Sequence, residues 1–187
     1  MNFAEYNVKD ANLEEILLAL KSIDTVEAVA LGGSRSTGAS DENSDYDIYV
    51  YCAEIPTAET RENLLEKYCS IAEFGNHYWE SEDNTVMNNG IPVDIIYREV
   101  DRFGRYIDTV IKGGKAFNGY TTAFWHNIKN SKVLFDKTGT FTKFRDMAQI
   151  DFPENLRSAI IKNNRNLLNG KLPSYDRQIK KAQERGD

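Results

Sequence analysis

The sequence predicts an α/β (α+β) fold: a β-sheet core flanked by helices in the first part of the chain, then a mostly helical C-terminal region. Three observations predict it. The runs "VEAVALGG" and "DYDIYVYCA" are short, bounded by turn residues and rich in branched and aromatic side chains, as buried strands are. "NTVMNNGIPVDIIYRE" reads as two more strands joined at Asn88-Asn89-Gly90, a hairpin turn signal. Apolar residues elsewhere recur at helical spacing, and strands become scarce after Gly114.

The elements follow in order. "DANLEEILLALKSI" carries Leu13, Ile16, Leu17 and Leu20 on one helical face, with Asp10 placed to cap its start. The first strand then ends at Gly32-Gly33, and the second runs through "DYDIYVYCA". Pro56-Thr57 opens a second helix, predicted from Ala58 to Ile71, with Leu64, Leu65 and Tyr68 inward. After the hairpin a third helix runs from Asp101 to Lys112 and stops at Gly113-Gly114. Its stripe of Phe103, Tyr106, Ile107, Val110 and Ile111 fits i, i+3, i+4, i+7, i+8. Beyond it come helices with one short interruption, "KVLFDKTG". Pro153 starts one that Asn169-Gly170 closes, and "PSYDRQIKKAQERGD" forms the last, which looks cut off. The expected division is residues 1–112 as a catalytic domain and 113–187 as a helical region.

Composition narrows the class of function. Apolar residues make up 41% and charged residues 28% of the 187, which is globular. The formal charge of −6 repels phosphate backbones and argues against a long nucleic acid as partner, while a small cationic molecule or a metal-bound nucleotide remains compatible. Cys52 and Cys69 are the two cysteines and read as reduced core thiols, with no pairing or zinc-ligand spacing. No apolar run reaches the ~20 residues of a membrane helix, and "MNFAEYNVKD" lacks the order of a secretory leader. A cytoplasmic location is the default expectation.

The unusual feature is acid inside a strand. Asp45 and Asp47 lie one residue apart, so alternation puts them on one face while Tyr46, Ile48 and Val50 face the core. Strands disfavour Asp, and like charges on one face repel. A hard divalent cation such as Mg²⁺ removes that cost, because paired carboxylates form an oxygen-rich site for it. Asp94 is a third acid embedded in branched residues. If its strand lies beside the first, the three suffice for two metal ions in an in-line phosphoryl displacement. Gly32-Gly33-Ser34 supplies a strand-to-helix turn whose backbone can approach phosphate closely, with the Ser34 hydroxyl as a further contact. Ten residues separate Ser34 from Asp45, enough for a short helical turn and a return to the adjacent strand.

"LGGSRSTGASDENSDYDIYV" together with "PVDII" resembles the signature of the DNA polymerase β-like nucleotidyltransferases, in the small bacterial branch that includes aminoglycoside and lincosamide adenylyltransferases. The resemblance spans Val26 to Tyr97. It implies a minimal palm-like core with a mixed sheet, and transfer of AMP from ATP to a hydroxyl with release of pyrophosphate. Asp45 and Asp47 would hold two Mg²⁺ ions. Asp94 would hold one and help deprotonate the acceptor, although some relatives use a glutamate outside the core for that step. Gly32, Gly33 and Ser34 would bind the nucleotide phosphates, and Arg35 would be either a phosphate contact or a brace. The implied partners are a nucleoside triphosphate and a small hydroxylated acceptor. A protein acceptor in a toxin–antitoxin pair and a non-catalytic nucleotide-binding module are the alternatives. Such relatives carry a larger helical region than the residues after Gly113, so the expectation is either a fragment of a longer protein or an acceptor pocket completed by a partner subunit or second copy.

The remaining conspicuous residues read as structural. His77 and His126 are isolated. Trp79, Phe124 and Trp125 read as core aromatics, and Arg98, Arg102 and Arg105 as a solvated helix face.

Overall fold

A computed structural model describes residues 10–41, 44–119, 121–169 and 174–186. The chain divides into two compact units, residues 1–104 with 126–149, and residues 105–125 with 150–187.

The first unit is built on a six-stranded mixed sheet. Its strands are β1 (Val26–Leu31), β2 (Tyr46–Cys52), β3 (Cys69–Asn76), β4 (Ser81–Met87), β5 (Pro92–Glu99) and β6 (Lys132–Asp136). The order across the sheet is β3-β4-β5-β2-β1-β6. β2 and β5 run parallel and the other neighbours antiparallel. This is the helix-flanked, palm-like sheet that the resemblance implies.

Helix α1 (Ala11–Lys21) starts where Asp10 accepts hydrogen bonds from the backbone N–H groups of Asn12 (3.0 Å) and Leu13 (3.3 Å). Its stripe of Leu13, Ile16, Leu17 and Leu20 is buried together with Val29 and Leu31 of β1, Ile48 and Val50 of β2, and Val93 and Ile95 of β5. Burying each such aliphatic side chain contributes about 1.5–3 kcal/mol. The Asp10 carboxylate also accepts from Asn89 in the β4–β5 turn (3.2 and 3.1 Å), tying the hairpin tip to the start of α1.

The opposite face of the sheet is covered too. Tyr51 of β2 meets Phe103 at 5.4 Å between ring centroids, near the start of α4 (Val100–Ile111). It meets Phe141 at 5.3 Å, on α6 (Thr140–Ala148). Both contacts are edge-to-face, the favoured aromatic geometry. This face therefore has an apolar end around Tyr51 and an acidic end around Asp47.

Two sequence expectations are corrected. The second helix does not reach Ile71: α3 covers Ala58–Leu65, a 3₁₀ turn covers Glu66–Tyr68, and Cys69 opens β3. Only Arg61 and Leu65 of α3 are buried, so the helix has little apolar stripe to extend. Pairing of Ala72 with Thr85 and Glu73 with Asn84 draws the following residues into the sheet instead. The interruption "KVLFDKTG" is a strand of that same sheet, with Val29 opposite Phe135 and Ala30 opposite Val133.

The second unit contains most of α4, the start of α5 (Ala123–Asn130), α7 (Glu154–Asn169) and α8 (Tyr175–Arg185). Tyr106 stacks on Phe117 (5.3 Å) and meets Phe124 edge-on (4.9 Å), and Trp125 lies against Phe152 (5.3 Å). The expected closure of α7 at Gly170 lies outside the described residues. No helix among the described residues is long and apolar enough to cross a membrane.

Candidate active site

The parallel β2–β5 pair brings the acids together. Its register sets Asp47 directly opposite Asp94, so both carboxylates stand side by side on one face. Asp45 immediately precedes β2 on the same alternation. Burial pushes the Asp47 carboxyl up to about 6, and the negative charges of Asp45 and Asp94 push in the same direction. Each carboxylate thus raises the free energy of ionising Asp47. Asp47 and Asp94 are both half-buried, so the cluster is open to solvent or ligand.

The glycine turn presses onto this cluster. Gly32 donates its N–H to the Asp47 carbonyl at 2.8 Å. A β-carbon on Gly32 would lie 2.9 Å from Cδ2 of Tyr49, and one on Gly33 would lie 2.7 Å from Cγ of Asp47. Both are closer than real β-carbons come to other atoms. Gly33 also has φ +59°, in the left-handed region where a side chain is strained. The paired glycines are therefore required by the side chains that β2 points at them. A short helix, α2 (Gly33–Thr37), follows, and Ser36 closes its first turn by donating to the Gly32 carbonyl (3.2 Å). By the geometry of a helix start, the N–H groups before Ser36 have no acceptor within the turn. Gly33 is exposed and Ser34 half-buried there.

Arg35 reaches back to the incoming strand. Its Nε donates to the carbonyls of Ser44 (3.0 Å) and Asp45 (2.9 Å), its terminal nitrogen also bonds the Ser44 carbonyl, and its guanidinium sits 4.0 Å from the Tyr46 ring centroid. Of the two roles open to it from sequence, this geometry is that of a brace for Asp45.

On the other side of Asp94 stands a residue that sequence reading missed. Asn84 of β4 is in register with Asp94 and donates its side-chain N–H to Asp94 Oδ1 at 2.9 Å. The signal was present: a hairpin centred on Asn89 pairs residues equidistant from it, which places 84 opposite 94. Glu82, two residues away on the same face, has its carboxyl raised by burial and then by Asp94.

Arg98 is a correction. It lies in β5, not on a helix, and is 3% exposed. Its guanidinium pairs bidentately with Glu80 (2.9 and 2.8 Å), donates to Tyr51 Oη (3.2 Å) and lies 4.2 Å from the Tyr49 ring centroid. Arg102 and Arg105 are exposed on α4 as expected. Trp79 is 83% exposed rather than core, while Trp125 is buried. His77 and His126 are exposed, and neither belongs to the acidic row. Cys52 is buried, and burial pushes its thiol up to about 12, so it remains a neutral core group.

Among the described residues, no three His, Cys, Asp or Glu side chains converge tightly enough to cage a metal ion by themselves. The donor set nevertheless fits Mg²⁺. That ion characteristically takes one or two carboxylates, with water and substrate phosphate completing its shell. A cation beside Asp47 would also offset the burial, and the lesser repulsion from Asp45 and Asp94, that raise its carboxyl.

A family model described as a nucleotidyltransferase domain matches residues 13–117, more than half of the chain and a span that contains the glycine turn and all three acids. No curated protein matches. Among solved structures, a chain from a crystal structure of a toxin-antitoxin with AMP-PNP is similar at 19% identity and a TM-score of 0.42, covering 72% of this chain and 82% of that one. The chain belongs to the nucleotidyltransferase domain family, of the polymerase β type, and is a nucleotidyl-transferring enzyme.

Proposed function

We propose that the protein transfers AMP from ATP to a hydroxyl of a small molecule in a Mg²⁺-dependent reaction and releases pyrophosphate. The observation that carries this reading is the position of Asp47, register-paired with Asp94 on one side and pressed against the Gly33 backbone on the other. An acid pair and a glycine turn at a helix start share one spot on the sheet.

In this reading Asp45 and Asp47 hold the metal, Asp94 shares it, and the Gly32-Gly33-Ser34 turn binds the β- and γ-phosphates. The metal, when bound, neutralises charge on the triphosphate and on the departing pyrophosphate. The acceptor oxygen forms a bond to the α-phosphorus as the bond from that phosphorus to the β-phosphate oxygen breaks. The hydroxyl proton passes to Asp94. The residues contribute chiefly positioning and fixed charge, which is where most of the acceleration in such displacements arises. Arg35 acts indirectly, by holding the Ser44–Asp45 backbone in place.

The test is incubation with ATP labelled at the α-phosphate, Mg²⁺, a panel of aminoglycosides and lincosamides, and a cell lysate. A labelled small molecule is expected. Label on a protein would replace the small-molecule acceptor with a protein one. Magnesium-dependent ATP binding with no transfer to any acceptor would overturn catalysis and leave a nucleotide-binding module.

A further inference from the structure

Asp94 stands between two cross-strand neighbours of opposite character, Asp47 on β2 and Asn84 on β4. Asn84 donates to Asp94 Oδ1 at 2.9 Å. Its own side-chain oxygen accepts from Asn76 Nδ2 on β3 at 2.7 Å, and Asn76 in turn approaches Glu73 at 3.4 Å. The chain Asn76–Asn84–Asp94 thus crosses three strands on one face. It has a direction. Turning the Asn84 amide over would set its oxygen against the Asp94 carboxylate and its NH₂ against that of Asn76, losing both bonds. The acceptor-only Asp94 carboxylate therefore requires the NH₂ end of Asn84, and the Asn76 bond supports that same orientation.

We propose that Asn84 is a positioning residue for the transfer reaction: it occupies Oδ1 of Asp94, locks that carboxylate's rotation and leaves Oδ2 as the oxygen presented to substrate. This rests on the reading of Asp94 as a participant in transfer. Chemistry accounts for an amide at this position. An acid would add a charge to a face already holding Asp45, Asp47, Asp94 and Glu82 and could not donate to an ionised neighbour, and an apolar side chain would leave the rotation free. A carboxylate held in one orientation contributes to rate through alignment rather than through ground-state binding.

Asn84→Ala is expected to lower kcat by about tenfold to a hundredfold, with KM for ATP changed by less than about twofold and Tm preserved. Asn84→Gln, which keeps the donor, is expected to recover much of the loss. Asn76→Ala, which frees the Asn84 amide without touching Asp94, should give a smaller loss in kcat of the same kind. The bond is also read without turnover. In a ¹H–¹⁵N spectrum the Asn84 side-chain NH₂ should exchange slowly and shift in Asp94→Ala. The inference is overturned if Asn84→Ala keeps kcat within about twofold of wild type, if Asn84→Gln is as impaired as Asn84→Ala with a lowered Tm, or if the Asn84 amide resonance ignores Asp94→Ala. Should the wild-type protein transfer no nucleotide at all, the reading of the function fails, and the spectrum alone decides whether Asn84 holds Asp94.

Discussion

Gly33 sits so close to Asp47 that a single added methyl group would overlap the carboxylate, and its φ of +59° is one that side chains resist. The two constraints are separable. Gly33→Ala should destabilise the protein by about 1–3 kcal/mol from backbone strain, with a further loss from displacing Asp47. Combining it with Asp47→Ala should restore the second part and leave the first. Urea denaturation of the four proteins in this cycle measures the coupling. A coupling of zero would mean that the turn and the acid do not press on one another.

Asp47 should trade stability for function. Its folded-state carboxyl lies near 6, above the ordinary 3.8. Between those values the native protein holds a proton that the unfolded chain has released, so stability falls as pH rises through that window and the penalty is fully present above it. The group is only part-buried, and solvent screening reduces the penalty to the order of 1 kcal/mol. Asp47→Asn removes the charge, so the variant should be more stable than wild type at pH 7, with the gap closing toward pH 4, while transfer is abolished. Mg²⁺ should raise the wild-type Tm and leave the variant's unchanged. Urea titrations at pH 4, 5.5 and 7 test the first claim, and a variant less stable than wild type at pH 7 would contradict it.

The parts of this site legible in sequence were those whose meaning is local. Gly32-Gly33, the alternation of Asp45 and Asp47, and the hairpin turn at Asn88–Gly90 each depend on residues a few positions apart. Asp94 needed one further assumption, that its strand lies beside β2, and the parallel register supplies it. The misread residues depend on distant partners. Arg98 looks like a surface cation until Glu80, Tyr51 and Tyr49 close around it. Cys69–Ile71 looks helical until β4 offers a ladder to pair with. Asn84 was readable from the symmetry of the hairpin, because the register that pairs Val86 with Pro92 also pairs it with Asp94.

Arg35 can be assigned by comparing two substitutions. A phosphate contact needs a positive charge, which Lys retains. A brace on two adjacent carbonyls that also lies over the Tyr46 ring needs the planar fork, which Lys lacks. Arg35→Lys should therefore lose nearly as much kcat as Arg35→Ala, with KM for ATP little changed in either. Steady-state kinetics separates the cases. A Lys variant close to wild type, beside an Ala variant with a strongly raised KM, would assign Arg35 to phosphate.

On the far face of the sheet, Arg61 of α3 and Asp83 of β4 form a buried ion pair at 3.0 Å, 2% and 0% exposed. Asp83 also accepts from the Gly75 N–H (2.9 Å), and the guanidinium lies 4.4 Å from the Tyr97 ring centroid. The Arg61 Nε has no hydrogen-bond partner among the described residues, so the pair is incompletely satisfied. Removing one charge strands the other in a low-dielectric core, and Asp83→Asn should cost about 3–5 kcal/mol. Replacing both, as Arg61→Met with Asp83→Leu, should return stability to near or above the wild-type value, because two desolvation penalties disappear together. Strand alternation puts Asp83 on the face opposite Asn84 and Asp94, so the double variant should keep transfer activity near wild type. Urea denaturation and a transfer assay on the same preparations check both statements. A double variant no more stable than Asp83→Asn would show that the pair, rather than the volume it fills, holds α3 to the sheet.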